Sequence, residues 1–230
     1  MVLQIRDVVE DIRHRFRSVV HLRTGRVMAL EVRACPAAGE LDHLRPVTGI
    51  AERLVRLDVR FAAEAARRGA EYERLLPLHL TLWADTVCAE YNPLVPLLDT
   101  LSDIGRDPGQ VVIRLVVPPG EATPANLPVG LARLRAAGFG LGLDAVGTFP
   151  MATLIDVAPE VLLLGTRHTT GLPATPPALA ALAGSAALAT QTGATLVADG
   201  CDTTEQAIAL RAHGVSLVQG DLLGPTRRRP

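Results

Sequence analysis

The stretch that decides the fold is TLVADGCDTTEQAIALRAHGVSLVQ, residues 195–219. It begins with a short apolar run, continues with apolar residues at helical spacing, and ends with a second apolar run. Asp202 and Glu205 form a capping-box pattern at the start of the central part, and a glycine then ends it. The pattern predicts strand 195–198, a helix, and strand 215–219, which together form one β-α-β unit.

The same alternation continues toward the N-terminus. Short apolar runs predict strands at residues 78–82, 111–117, 139–143 and 161–164. Four helices are predicted between these strands. The first begins at Pro93, the third covers residues 151–156, and the fourth covers residues 177–192. The second has Thr123 as its N-cap and Pro124 at its first position, and it ends at Gly138. Strands that alternate with helices indicate a parallel sheet covered by helices.

The first 70 residues differ from this alternation. Residues 19–22 and 27–32 read as two strands of a hairpin with Gly25 at its turn, and 35–49 reads as a long loop. A helix begins near residue 50, carries charged i,i+4 pairs on one face, and is expected to end at Gly69.

We therefore predict an α/β fold, specifically a closed barrel of parallel strands covered by helices, which forms a single domain over residues 1–230. The number of strands, with no change of composition midway, favours one closed barrel over two domains. Residues 227–230 are expected to form a disordered tail.

Composition excludes several functions. The 230 residues carry a net charge of -1, and all 23 positions counted as Lys or Arg are arginine. Without lysine, Schiff-base, phosphate-loop and lysine general-base chemistry are excluded. The near-zero net charge indicates no nucleic-acid or membrane partner. Three widely spaced cysteines indicate neither disulfides nor a zinc site, which favours a cytoplasmic protein, and we predict no cofactor.

Functional side chains of such a barrel lie at the C-terminal ends of its strands. The polar or aromatic residues at these positions are Glu31, Thr81, Trp83, Arg114, Asp144, Asp199 and Gln219. Glu31, Asp144 and Asp199 converge from three strands and would suit Mg²⁺. Alternatively, these carboxylates cap helices or pair with arginines. The glycines of Gly140-Leu-Gly142 lie inside a strand, so we interpret them as sites of close packing rather than as a dinucleotide motif.

Residues 195–206 (TLVADGCDTTEQ) and 214–224 (GVSLVQGDLLG) resemble the EAL-domain family of cyclic di-GMP phosphodiesterases. Other segments follow in the family's order: FRSVV at 16–20, LRTGRVMALEV at 22–32, and LDAVGT at 143–148. In this resemblance Glu31 is the glutamate of the EAL signature. The resemblance covers nearly the whole chain and implies a TIM-like (β/α)8 barrel of EAL type whose first strand runs antiparallel.

Family members hold two divalent cations with carboxylates and an Asn, near a lysine, and the cations activate water for attack on a phosphodiester. By resemblance, Glu31, Asp144 and Gln219 are retained and Asp199 shortens a glutamate. The positions that differ are Thr81 for the Asn, Arg114 for a glutamate, Ala145 for the second Asp, Leu163 for the lysine, Cys35 for a phosphate-binding Arg, and Arg17 for a Gln.

Two of these differences decide the functional prediction. Arg114 puts a positive charge where a metal ligand is expected, and Ala145 removes the carboxylate expected to bridge the metals. We predict a pseudo-enzyme without cyclic di-GMP hydrolysis and without metal, in which Glu31, Asp144 and Asp199 are vestigial candidates. Its function would be regulatory, through binding of a protein partner in bacterial signalling.

Two alternatives remain open. One is a non-hydrolysing receptor for cyclic di-GMP or a related nucleotide that uses Glu31, Arg114, Asp144, Asp199 and Gln219; the other is a residual phosphodiesterase with a single metal. The resemblance also implies a homodimer formed near the loop 146–154. In that loop, the apolar side chains expected to form an exposed patch are Val146, Phe149, Pro150 and Met151.

Overall fold

The computed structural model describes residues 12–36, 51–117, 121–223 and 227–229. The strands are β1 (Ile12–His21), β2 (Val27–Pro36), β3 (Leu78–Trp83), β4 (Val111–Val116), β5 (Gly140–Asp144), β6 (Val161–Leu164), β7 (Thr195–Asp199), β8 (Leu217–Gln219) and β9 (Arg227–Arg229). The helices are α1 (Ala51–Tyr72), α2 (Ala84–Val87), α3 (Val95–Asp103), α4 (Leu127–Ala136), α5 (Met151–Val157), α6 (Thr166–Thr169), α7 (Pro176–Thr192) and α8 (Thr204–Ala212).

Eight strands close into a barrel in the order β2-β3-β4-β5-β6-β7-β8-β1, because β1 pairs with both β8 and β2. Strands β2 to β8 run parallel to one another, and β1 runs antiparallel to its two neighbours. The predicted TIM-like barrel with one antiparallel strand is confirmed. The opening hairpin is confirmed, with Gly25 at φ 66° in its turn, but both of its strands are longer than the predicted 19–22 and 27–32.

Side chains alternate between the two faces of the barrel wall, as the pleat of a strand requires. Outward-facing Leu, Ile and Val side chains form one large core with the surrounding helices; Leu80, Ile113 and Leu141 are among its fully buried members. Inside the barrel a second, smaller apolar cluster lies at the lower end and consists of Val19, Ala29, Val161, Leu163 and Val197. On β1, β2 and β7 the next inward-facing position toward the mouth is polar, namely Arg17, Glu31 and Asp199. The candidate site therefore lies directly above this small apolar cluster, which we call the apolar plug.

Two helix boundaries differ from the sequence prediction because side chains have other partners. The capping box of α8 is formed by Thr203 and Gln206, since the carboxylate of Asp202 accepts the backbone N–H of Asp221 instead. Helix α4 begins after Asn126 rather than at Thr123, whose hydroxyl donates to the carbonyl oxygen of Thr148 in the loop after β5.

Helix α1 does not end at Gly69 but continues to Tyr72. A Cβ at Gly69 would lie 2.9 Å from Leu78 Cδ2, so this glycine lets the helix approach β3 closely. Residues 227–229, expected in a disordered tail, pair antiparallel with β1 as strand β9. Most of the predicted loop 35–49 and all of residue 230 lie outside the described residues.

Within the described part of the chain, no helix combines the length and apolar character needed to span a membrane.

The two strand ends that carry Asp199 and Gln219 meet at a point of close backbone contact. A Cβ on Gly220 would overlap the carbonyl oxygen of Cys201, and the Cys201 N–H donates to the Gln219 carbonyl at 2.9 Å. Only glycine fits at position 220, so this contact holds the ends of β7 and β8 in register.

We expect Gly220→Ala to destabilise the protein by about 3 kcal/mol or more, because the added methyl group meets backbone that cannot rotate away. The matched control is Gly184→Ala on the exposed face of α7, where a Cβ has no neighbour within 4 Å. Removing a helical glycine there should stabilise by about 0.5–1 kcal/mol. Urea unfolding of both variants checks the prediction, and equal stabilities would contradict it.

Candidate functional site

The mouth of the barrel is lined by charged and polar side chains, of which four strands supply the residues predicted from sequence. Glu31 comes from β2, Arg114 from β4, Asp199 from β7 and Gln219 from β8. Arg17 of β1 is paired directly with Glu31 in the antiparallel register, so it joins them. Each side chain is one inward-facing position above the apolar plug, which is why residues far apart in sequence meet here.

Glu31 is at the centre of the site and is fully buried. Its Oε1 lies 2.7 Å from Arg114 Nη1 and accepts a hydrogen bond from Arg33 Nε at 2.6 Å. Its Oε2 accepts from Gln219 Nε2 at 3.0 Å. Both carboxylate oxygens therefore have protein partners.

Arg114 is buried as well, with 4% of its surface exposed. The same Nη1 that contacts Glu31 also donates to Gln219 Oε1 at 3.1 Å, which closes a ring of three side chains. A Cβ at Gly142, the neighbour of Arg114 on β5, would lie 3.2 Å from Arg114 Cγ. The predicted close packing at Gly142 is confirmed, and it makes the space that this guanidinium chain occupies.

These contacts determine the charge of Glu31. Burial alone would raise the pKa of the Glu31 carboxyl, but the guanidinium groups of Arg114, Arg33 and Arg17 outweigh burial and hold that pKa well below its usual range. Glu31 is therefore ionised at neutral pH, and its counter-ions are arginines.

Asp199 forms a second, more open ion pair. Arg17 Nη1 lies 2.7 Å from Asp199 Oδ1, without the alignment of a hydrogen bond. Burial and the Glu31 carboxylate raise the pKa of Asp199, while Arg17 and Arg114 offset this only in part. The Asp199 backbone carbonyl accepts a hydrogen bond from the Thr169 hydroxyl, which anchors the end of β7 to α6.

Asp144 is separate from this network. It is half-buried at the end of β5, and its Oδ2 accepts a hydrogen bond from the Thr148 hydroxyl at 2.9 Å. In the strand register it neighbours Leu163, whose side chain belongs to the apolar plug. The structure thus brings Glu31, Arg114, Asp199 and Gln219 together, whereas Asp144 is held by its own loop.

The residues at the mouth do not fit a pair of divalent cations. Across the described ranges, no three His, Cys, Asp or Glu side chains are grouped so that they could hold a metal ion. The Glu31 oxygens are occupied by arginine and amide donors, and the Arg114 guanidinium adds positive charge beside them. Ala145 is buried in the outer core and offers no ligand.

Three polar groups beside the network lack a hydrogen-bond partner: His79 Nδ1, Thr81 Oγ1 and Arg114 Nε. His79 neighbours Glu31 in the β2–β3 register, and Thr81 neighbours Arg114 in the β3–β4 register. Burial and the Arg114 guanidinium lower the pKa of His79 to about 4, although the Glu31 carboxylate opposes this. His79 is therefore neutral at pH 7.

Sequence reasoning missed Arg33 and His79 as parts of the site. The signal that identifies them is the two-residue alternation on β2 and β3, because Arg33 follows Glu31 by two positions and His79 precedes Thr81 by two. Trp83, one of the predicted strand-end residues, is 5% exposed and belongs to the buried core.

The predicted patch in the loop 146–154 is partly wrong. Phe149 is buried in the outer core and Val146 is half-buried against it. Pro150 and Met151 are exposed. The loop turns Phe149 inward because the core beneath α5 offers it more apolar contact than solvent does.

The fold and the mouth define a class of protein: a TIM-like barrel with an antiparallel first strand and its polar residues at the C-terminal ends of the strands. Comparison with protein families agrees, because the EAL domain matches residues 8–226. The chain belongs to the EAL domain family. Comparison with curated proteins returns no match.

Solved structures with the same fold include BlrP1 of Klebsiella pneumoniae in a complex with calcium and cyclic di-GMP, at TM-score 0.80 and 21% identity over 94% of this chain. This chain spans 57% of that BlrP1 chain. The PaMucR phosphodiesterase, in a complex with cyclic di-GMP, matches 96% of this chain and 95% of its own at TM-score 0.80 and 19% identity. The EAL domain of Mycobacterium smegmatis DcpA matches 95% and 92% at TM-score 0.69 and 18% identity.

The Glu31–Arg114 pair should show the energetics of a buried ion pair. Arg114→Met leaves a buried carboxylate without its main counter-ion and should cost about 3–5 kcal/mol. The double variant Glu31→Leu/Arg114→Met removes both charges and should recover most of that loss. Chemical unfolding of the single and double variants checks this, and a double variant as unstable as the single one would contradict it.

His79 should make stability depend on pH. Its pKa in the folded protein, about 4, is below the ordinary value of 6.5, so the unfolded chain binds a proton that the folded chain does not. The stability that His79 contributes is present above pH 6.5 and is lost as the pH falls toward 4. We expect the urea midpoint of His79→Leu to fall less between pH 6.5 and pH 4 than that of the unchanged protein. An equal fall in both proteins would contradict this assignment.

Proposed function

We propose that this chain is a catalytically inactive EAL domain that acts as a cytoplasmic regulatory module and binds a protein partner in bacterial signalling. The observation that carries the proposal is the enclosure of Glu31. This carboxylate, which the family resemblance makes a metal ligand, has both oxygens occupied by Arg114, Arg33 and Gln219.

Two further positions support the loss of hydrolysis. Leu163, at the place where the resemblance implies a lysine, is buried in the apolar plug inside the barrel. Ala145, at the place of the implied bridging carboxylate, is 6% exposed and packs in the outer core. Both side chains stabilise the fold by burial, and neither can bind a cation or a phosphate.

The scaffold is kept while the catalytic set is changed. The outer core is continuous around the barrel, and the contact at Gly220 holds the ends of β7 and β8 in place. A stable barrel with a sealed site is what a protein-binding module needs.

We also propose that the chain forms a homodimer through the α5 region, where Met151 and Ile155 are 55% and 43% exposed.

A non-hydrolysing receptor for cyclic di-GMP is the second candidate, and the exposure of two arginines favours it. The side chains of Arg17 and Arg33 are 23% and 38% exposed at the mouth, so their guanidinium groups can meet a phosphate. Arg114 is enclosed, so in this candidate it positions Glu31 and does not contact the nucleotide. The solved BlrP1 and PaMucR complexes contain this nucleotide.

A phosphodiesterase with a single metal is the weakest candidate. It needs Glu31, Asp144 and Asp199 to share one cation, but Asp144 bonds to Thr148, and Arg17 neutralises Asp199.

Two measurements on the purified chain separate these functions. We expect no hydrolysis of cyclic di-GMP with Mg²⁺ or Mn²⁺, because the cation ligands are neutralised by arginine. Calorimetric titration with cyclic di-GMP, with and without Mg²⁺ or Ca²⁺, should show no saturable binding.

Each contrary result is specific. Turnover that Asp144→Asn abolishes would overturn the claim of inactivity. Saturable binding that Arg17→Gln weakens, with Arg53→Gln as a control on the exposed face of α1, would replace the protein-binding module by the nucleotide receptor.

A further inference from the structure

A groove of about 740 Å³ lies outside the barrel wall, between α1 and the chain that leads into α3. It is separate from the mouth. His14, the residue of β1 that lines the groove, lies on the opposite face of the strand from the inward-facing Arg17 and Val19. The volume is in the range of pockets for small molecules. Its lining residues are His14, Val55, Arg56, Val59, Arg60, Ala63, Glu64, Arg67, Arg68, Tyr91, Asn92, Pro93, Pro96 and Thr100.

The charges of this groove are unbalanced. Four arginines line it against one glutamate, Glu64. Arg68 divides its guanidinium between Glu64 and Glu71, and Arg56 pairs with Glu52 at the helix surface. Among the described residues Arg60 has no ion pair or hydrogen bond, so its five donors are available.

His14 gives an independent sign of a missing ligand. The residue is 3% exposed, lines the groove, and has no hydrogen-bond partner at either Nδ1 or Nε2. A buried imidazole with both nitrogens unsatisfied costs free energy, so such groups normally have a partner. An oxygen of a bound molecule at the inner end of the groove would supply one.

Most of the remaining lining residues are apolar or aromatic. Val55, Val59 and Ala63 are buried along one side of α1, and the aromatic ring of Tyr91 stands 43% exposed at the rim. The groove thus joins a cationic side with an apolar side that a flat ring can contact.

We propose that this groove binds a small organic phosphate, with Arg60 and Arg67 on the phosphate, His14 on an oxygen, and the apolar side against the organic part. Guanidinium groups match phosphate geometry through paired N–H donors. Arg67 is already oriented, because its Nη2 donates to Thr100 Oγ1 at 3.3 Å and its Nη1 lies 3.7 Å from Glu64. The proposal does not depend on the function assigned to the mouth.

The test is calorimetry of the intact chain with AMP, inorganic pyrophosphate and adenosine as probes. We expect saturable 1:1 binding of AMP and weaker binding of pyrophosphate, with no binding of adenosine, because the arginines supply most of the affinity. Arg60→Gln should weaken AMP binding about tenfold, the loss expected for a hydrogen bond to a charged group. Arg67→Gln should act in the same direction.

Arg53→Gln is the matched control, since it removes the same charge from the exposed surface of α1 outside the groove. It should leave AMP affinity unchanged. Equal weakening by Arg53→Gln and Arg60→Gln would overturn the proposal in favour of general charge attraction. Weakening by Arg17→Gln alone would move the site to the mouth, and absence of saturable binding of both AMP and pyrophosphate would remove it.

Discussion

The ion pair between Glu31 and Arg114 is the constraint on which the rest of the mouth depends. Two opposite charges inside a barrel are stable only if each keeps its hydrogen bonds, because both lose water on folding. Gln219 satisfies this condition by accepting from Arg114 and donating to Glu31, and Gly142 leaves the space that the arginine needs. The ring ties β2, β4 and β8 together across the barrel. A cation between them would have to displace contacts that the protein already makes.

The barrel interior therefore has two layers, one stabilised by apolar burial and the other by interactions between charged groups. The lower layer is apolar and excludes water, so it stabilises by burial. The upper layer is a set of arginines and carboxylates in which each pKa depends on its neighbours, with Glu31 held ionised and Asp199 shifted upward. Leu163 belongs to the lower layer although Asp144 is its neighbour in register. The apolar plug therefore rises to the level of Asp144 on the neighbouring strand.

Prediction from sequence worked best where one rule acts on a local stretch. The strands of residues 161–164 and 195–199 agree with prediction within one residue, because apolar runs between turn residues have few alternative structures. It was wrong at Gly69, where the glycine serves a contact with Leu78 nine positions away, and at Thr123, whose hydroxyl bonds to a distant loop. The strand at residues 227–229 exists only because β1 has a free edge there. Each error comes from a tertiary partner that local rules cannot see.

The sequence by itself determined the barrel, its antiparallel first strand, and the identities of the residues at the strand ends. These follow from periodicity, capping residues and the resemblance of a few motifs, all of which are local properties of the chain. Only the tertiary structure decided which partners those residues have and how deeply they are buried. It paired Arg114 with Glu31, left Asp144 with Thr148, and buried His79 beside the pair. The reason is that charge, burial and pKa depend on distances between strands, and those distances exist only once the barrel has closed.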